Sequence, residues 1–334
     1  MNSAIPVTRT ARPRIVRRPL HGVLLLDKPV GLSSNQALQQ AKYLLRAEKA
    51  GHTGTLDPLA SGVLPLCFGA ATKFSQWQLD ADKTYLAHAR LGQTTSSGDS
   101  EGEILQQRPV LPAAVSSARL AAIRARFSGR IVQIPPMHSA LKKDGKPLYA
   151  LARAGQTVER APRHVTIHAL EFPEAVAGDI LTLHVHCSKG TYIRTLVEDI
   201  GEALGCGAHL AALRRTASGP FGIARCLVLR AQDAPQNPVG TLEGMDEAQR
   251  AQQLLPVQSL LHGIPAVHLQ AQDAARFLTG LRRRIDQPDA AAVAVFGRNP
   301  HALLGLAHIQ NGELIADRLL NPVEIAQMVQ AGQG

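Results

Sequence analysis

Two short apolar runs, Val23-Leu24-Leu25-Leu26 and Val63-Leu64-Pro65-Leu66-Cys67-Phe68, flank a helical pattern and a loop with three glycines between Gly51 and Gly62. Apolar runs of this length bounded by turn residues read as buried strands. The first, Gly22 to Asp27, ends at Lys28-Pro29, and Ser33 or Ser34 is a suitable N-cap for a helix through Leu45. Tyr85 to Leu91 and Leu181 to Cys187 alternate as strands with one packed face, whereas Leu196 to Leu204 has helical spacing. Strands interspersed with helices but lacking a regular βαβ repeat predict a mixed α+β fold.

The chain has 334 residues, 45% of them hydrophobic, enough for a large domain and a smaller one, and this excludes disorder throughout. Its formal charge of +10 makes a polyanionic partner the first expectation. That charge is unevenly placed: residues 1–20 hold five Arg and no acid, residues 21–245 carry +6, and residues 246–334 carry −1. The Arg-rich arm, residues 1–20, has no apolar stripe and is expected to be disordered. Asp233 to Met245 is polar with Pro and Gly and reads as a boundary between a body, residues 21–245, and a C-terminal module, residues 246–334. Turn signals at Asp286-Gln-Pro-Asp, Gly297-Arg-Asn-Pro and Asn311-Gly312 make that module β-rich. Neither an export signal nor a membrane span is visible. Four cysteines without a CxxC pair suit buried thiols in a reducing compartment, so the cytoplasm is the expected location.

The familiar phosphate loops fail, because Gly205-Cys-Gly207 meets Leu210 where a third glycine would stand and no GxxxxGK[ST] occurs. His184 and His186 share a strand face but find no second cluster, so two partly buried histidines are expected and no metal site. In the Gly51 to Gly62 loop, Asp57 precedes Pro58, which favours an extended backbone, and the flanking glycines allow a ligand to approach; Asp-Pro is also an ordinary turn starter. If Gly190-Thr-Tyr192-Ile-Arg194 continues the preceding strand, Tyr192 and Arg194 share a face, and a cation near Asp57 would keep it ionised. With only 12 aromatic residues in the chain, Tyr85 and Tyr192 are the best-placed platforms for an unstacked base, and either is equally compatible with a core role. Lys28, the Lys142-Lys143-Asp-Gly-Lys146 turn and Arg214-Arg215 add basic loops suited to phosphates.

Taken in order, Gly51-His-Thr-Gly-Thr-Leu-Asp57-Pro-Leu-Ala-Ser-Gly-Val-Leu-Pro, Asp82-Lys-Thr-Tyr85, Pro135-Pro-Met-His-Ser-Ala-Leu-Lys142, Lys189-Gly-Thr-Tyr-Ile-Arg-Thr195 and Gly205-Cys-Gly-Ala-His-Leu210 resemble the bacterial TruB family of tRNA pseudouridine synthases. The resemblance runs from about Val23 to Arg215, and Ile264 to Leu320 is similar to a PUA-like RNA-binding module. It implies a mainly antiparallel sheet of the pseudouridine synthase type and conversion of uridine-55 in the tRNA T loop to pseudouridine, with no metal or organic cofactor. By the same resemblance Asp57 is the catalytic aspartate, either attacking the ribose or removing a proton from it. Tyr85 would stack on the flipped base and is a candidate to take the C5 proton, Arg194 would pair with Asp57, and His52 would help extrude the nucleotide. Tyr192 and Leu213 would line the pocket, with Lys28 near its floor.

Phe127 to Gly155 would be a loop closing over the T stem. His138 stands where the family usually has Tyr or Phe, and Ser96 replaces a frequent acidic residue. The partner implied is tRNA, met by a monomer with no obligate protein partner. Two further classes remain open: an RNA-binding or tRNA-folding protein with the same pocket, and a guide-RNA-dependent synthase that needs protein partners.

Overall fold

The computed structural model describes residues 16–139, 141–173, 176–233 and 239–332. Strand β1 (Gly22–Lys28) leads into helix α1 (Ser34–Leu44), whose start is fixed by a capping box: Gln36 N donates to Ser33 Oγ, and Ser33 N to Gln36 Oε1. Then come β2 (Ala50–His52), β3 (Ala60–Phe68), α2 (Ser75–Leu79), β4 (Lys83–Leu91) and the ribbon β5 (Gln93–Thr95) with β6 (Ile104–Gln107). Helix α3 (Ser117–Phe127), β7 (Gly129–Gln133), the hairpin β8 (Lys142–Lys143) and β9 (Lys146–Pro147), and α4 (Leu148–Arg153) follow. The body closes with β10 (Arg163–Glu171), β11 (Ile180–Cys187), α5 (Ile193–Leu204), β12 (Ala208–Ser218) and β13 (Phe221–Gly222).

Among the described residues these strands form a nine-stranded sheet of order β1-β3-β12-β4-β11-β10-β7, with β2 beside β3 and β13 beside β12. Every pairing is antiparallel except β12 with β3. The fold is therefore mixed α+β, as strands interspersed with helices without a regular βαβ repeat predict, and its larger sheet is mainly antiparallel, as the resemblance implies. Strands β4 and β11 pair in register from Lys83 opposite Cys187 to Arg90 opposite Ile180, which sends Ala87, Ala89, Leu181, Leu183 and Val185 to one side. There they pack with Leu196, Val197 and Ile200 of α5, each fully buried. A leucine or valine buried in this way contributes roughly 1.5–3 kcal/mol, which holds α5 and its first turn against the sheet. The opposite face carries His184 and His186, which are exposed and not partly buried as expected.

Two other expectations change. The Phe127 to Gly155 segment is not one loop, since β7 pairs with β10 from Gly129 opposite Ile167 to Gln133 opposite Arg163. Of the basic arm, residues 1–15 lie outside the described residues, and its end is docked: Arg18 N donates to Arg46 O at 2.8 Å, and Arg18 Nε lies 3.1 Å from Glu247 Oε1.

After α6 (Glu247–Gln252), the C-terminal residues form β14 (Ala266–Leu269), α7 (Ala271–Leu278), β15 (Arg283–Arg284), β16 (Ala290–Arg298), β17 (His301–Gln310), β18 (Glu313–Leu319) and α8 (Pro322–Gln330). Their five-stranded sheet has the order β14-β16-β17-β18-β15. Its apolar core is continuous with the body, where Val23, Val63 and Phe74 meet Val257, Leu260 and Leu261. Polar contacts add direction: Lys73 Nζ lies 2.6 Å from Glu324 Oε2, and His21 Nε2 lies 2.7 Å from Gln327 Oε1. No described helix is long and apolar enough to cross a membrane.

Candidate active site

The residues around Asp57 are held from three directions. Ser34, buried at the first position of α1, accepts from Leu56 N at 2.7 Å and donates to Leu56 O at 3.0 Å. Gly31 N donates to Pro58 O at 2.8 Å, so the neighbours of Asp57 are tied one to the start of α1 and the other to the β1–α1 connection. From below, Arg215 Nε donates to Val63 O at 2.7 Å and Nη2 to Gly54 O at 3.2 Å. Gly62 is required where β3 passes β12, because its φ is +106° and a Cβ there would fall 2.1 Å from the Arg215 carbonyl oxygen.

Asp57 is left half-exposed, its side chain 45% accessible, with Oδ2 3.1 Å from Nη2 of Arg194, which is only 5% accessible. The same guanidinium places Nη1 3.4 Å from Oδ2 of buried Asp99 and 3.1 Å from Ser97 O, and Nη2 also donates to the His138 carbonyl. Tyr192 and Arg194 do not share a strand face as expected: Tyr192 is the N-cap of α5 and Arg194 lies in its first turn. They reach one site because Gln133 grips the Tyr192 backbone, accepting from its N at 3.0 Å and donating to its O at 3.2 Å. Burial raises the pKa of the Tyr192 hydroxyl, so it remains protonated.

Asp99 is a site residue that the sequence alone does not single out; its signal is the Gly98-Asp99 pair in the loop after β5, the same loop that carries Ser96. Ser96 itself is exposed and bonds Glu103 within its own loop. The departure at His138 is equally mild, since this residue meets Arg194 through its backbone carbonyl, which any side chain would supply.

Tyr85 stands on β4 opposite Val185 on one side and Arg215 on the other, and, like Leu59 and Leu213, packs against the margin of the apolar core. Leu213 pairs with Ala87 of β4 and Ala60 of β3, at the β12 register where the sheet turns parallel. Burial pushes the Tyr85 hydroxyl up, opposed by the neighbouring Arg215. Lys28 ends β1 fully buried, its Nζ donating to Pro29 O at 2.8 Å and Leu32 O at 2.5 Å; burial outweighs the attraction of Asp57 and lowers its pKa to about 8. Lys83 resembles it, bonding the carbonyls of Leu79 and Ala81 at and beyond the end of α2, with a pKa lowered by burial and Arg215 to about 8. His52 on β2 has a buried Nδ1 without a partner, and burial followed by Arg215 lowers its pKa, favouring the neutral ring. All seven residues read from the sequence thus fall on the elements that meet around the Asp57 loop. A separate cavity of about 500 Å³, lined by Arg126, Phe127, Ile131, Val132, Asp199 and Glu202 among others, includes none of them.

One half-exposed carboxylate beside a fixed guanidinium, an aromatic ring and buried cations form a site suited to a neutral substrate that becomes anionic as it reacts. Residues 42–193 match the model for the N-terminal domain of the TruB family pseudouridylate synthases, and residues 194–262 match that for the tRNA pseudouridylate synthase B C-terminal domain. The chain is 61% identical to tRNA pseudouridine synthase B of Verminephrobacter eiseniae over 96% of its length and 94% of the relative's. The chain belongs to the TruB family. A second TruB relative, tRNA pseudouridine synthase B of Cupriavidus pinatubonensis, is 56% identical over 92% of this chain and 96% of its own. Among solved structures, this TruB chain is similar to one in a Cbf5-Nop10-Gar1 complex, with a TM-score of 0.64, 26% identity and coverage of 94% and 91% of the two chains. It also shares its fold with a chain of an H/ACA RNP bound to a substrate RNA containing 2'-deoxyuridine, at a TM-score of 0.65, 23% identity and coverage of 95% and 93%.

Proposed function

We infer that this chain is a tRNA pseudouridine synthase that isomerises uridine-55 of the T loop, with Asp57 as the catalytic group. The observation that carries the assignment of Asp57 is its pairing with Arg194 at 3.1 Å while it alone of the two carboxylates on that guanidinium remains open to solvent. Buried Asp99 balances part of the Arg194 charge, and Asp57 is the member available to a ribose. In this reading the target nucleotide is extruded from the T loop with help from His52, its base stacks on Tyr85, and Tyr192, Leu213 and Lys28 line the pocket. Extrusion costs a few kcal/mol, offset by stacking and by phosphate contacts from basic segments such as the Lys142 to Lys146 hairpin. Burial keeps the Tyr85 hydroxyl protonated, which suits stacking on a neutral base.

Residues 1–20 serve as a basic arm, 21–245 as the catalytic body and 246–334 as a PUA-like RNA-binding module. The protein acts as a monomer in the cytoplasm, without an obligate protein partner; its four free cysteines are all buried, as suits a reducing compartment. The test is an Asp57→Asn variant that still folds and binds tRNA. It should release no tritium from C5-labelled uridine, and release at the wild-type rate would refute the role of Asp57. Binding and remodelling of tRNA that persist in this variant would reveal an RNA-folding activity in the same pocket.

A further inference from the structure

Arg215 is 1% accessible, and among the described residues no ion pair joins it to a carboxylate. The acids nearby are taken: Asp27 by Arg214, whose Nη2 lies 2.6 Å from its Oδ2, and Asp57 and Asp99 by Arg194. Instead, Arg215 directs its donors to two backbone carbonyls, Gly54 before Asp57 and Val63 after it, one on each limb of the loop. Its own backbone pairs with Gly62 on one side and with Tyr85 on the other. One residue therefore links the segment carrying Asp57 to the strand carrying Tyr85.

A buried cation with no counter-charge is destabilising, and a neutral donor would suffice to tie down carbonyls. Retention of the charge at this position therefore needs a use. Whether Asp57 attacks the ribose or removes a proton from it, the electron pair of the broken C1′–N1 bond stays on uracil. The ring is then an anion until C5 gives that pair to C1′; the neutral adduct afterwards loses its C5 proton and gains one at N1. A fixed positive potential favours that state over the neutral substrate.

We propose that Arg215 is a positioning residue for the isomerisation, setting the Asp57 loop against the Tyr85 strand and holding positive potential at the site while the base is anionic. This rests on the reading of the chain as a tRNA pseudouridine synthase. The reach of its field is visible in its neighbours, because Arg215 adds to burial in lowering the pKa of Lys28, Lys83 and His52.

The experiment uses the full chain, tRNA carrying C5-tritiated uridine, and single-turnover conditions with enzyme saturating. Arg215→Gln should slow tritium release about 100-fold per folded enzyme, and Arg215→Lys, which keeps the charge but cannot reach both carbonyls, should be intermediate. Affinity for tRNA should be unchanged in both, which separates the effect from loss of docking. Wild-type rates in both variants, or a Gln variant no slower than the Lys variant, overturn the proposal. If the Gln variant does not fold, Gly54→Ala approaches the same contact from the loop, its methyl 3.4 Å from Arg215 Nη1 in a backbone of φ +85°. It should slow the same step, and a wild-type rate there is equally fatal. Failure of the wild-type chain itself to release tritium would sink the activity and this role together, so the two failures are distinguishable.

Discussion

The carboxylate of Glu198 fills the space that a side chain at Gly98 would occupy: a Cβ built on Gly98 would lie 2.8 Å from Glu198 Cδ. Glu198 lies one helical turn beyond Arg194 on α5, so the loop that carries Asp99 closes directly over the helix that carries the cation. Burial, with Asp199 and to a lesser degree Asp99 as like charges, raises the Glu198 pKa to about 7 against the opposing effect of Arg194 and Arg160. Between the ordinary carboxylate value, about 4.3, and about 7 the folded chain therefore binds a proton that the unfolded chain has lost. The stability this proton confers is complete below that window and disappears as pH rises through it. Glu198→Gln should flatten the decline of the denaturant midpoint across this range, and an unaltered pH dependence would show that Glu198 titrates normally.

Ser34 should matter more to catalysis than its distance in sequence from Asp57 implies. Removing its hydroxyl in Ser34→Ala leaves the buried N–H and C=O of Leu56 without their partner, a loss of about 1–3 kcal/mol, readable as a lower urea midpoint. Turnover by the remaining folded enzyme should fall too, since Leu56 precedes Asp57, the carboxylate proposed to react. Normal turnover at reduced stability would confine Ser34 to a structural role.

Arg194→Lys retains the charge but loses the planar fork that reaches Asp57, Asp99 and Ser97 O together. With Asp57 no longer fixed, kcat should drop about 100-fold, while affinity for tRNA stays near wild type. An equal loss of kcat and affinity would mark Arg194 as a phosphate contact instead.

The parts of this fold legible in the sequence are those set by local rules. The apolar runs at Val23 and Val63, the cap at Ser33 or Ser34 and the alternation through β4 and β11 were readable because burial and capping leave a residue pattern over a few positions. Tyr192 and Arg194 share a strand face only if Gly190-Thr-Tyr-Ile-Arg continues the preceding strand; instead a helix begins there, where Gln133, from a distant strand, holds the Tyr192 backbone. For the same reason Asp99 does not stand out, and Arg214-Arg215 reads as a basic loop suited to phosphates, whereas both arginines lie on β12, Arg214 paired with Asp27 and Arg215 buried. The partners of Asp99 and Arg215 lie at Arg194, Gly54 and Val63, and only the closed sheet brings these together.

The same gap between composition and contact bears on the basic arm. Its five arginines look equivalent in sequence, yet the Arg18 guanidinium is occupied by the carboxylate and the backbone carbonyl of Glu247, and so is a poor candidate for releasing counterions from RNA. Deleting residues 1–15 removes Arg9, Arg12 and Arg14 while leaving that anchor intact. If these three side chains each meet a phosphate, the slope of log affinity against log salt should flatten by about 0.7–0.9 per contact, with weaker tRNA binding at low salt and unchanged turnover at saturation. Deletion through residue 20 should lower the melting temperature as well, because it takes the Arg18–Glu247 pair with it. Titrations of both truncations at several salt concentrations separate the two effects: an unchanged slope in the shorter deletion would leave the arm without a part in RNA binding, and an unchanged melting temperature in the longer one would show that the Arg18 contact contributes nothing to the fold.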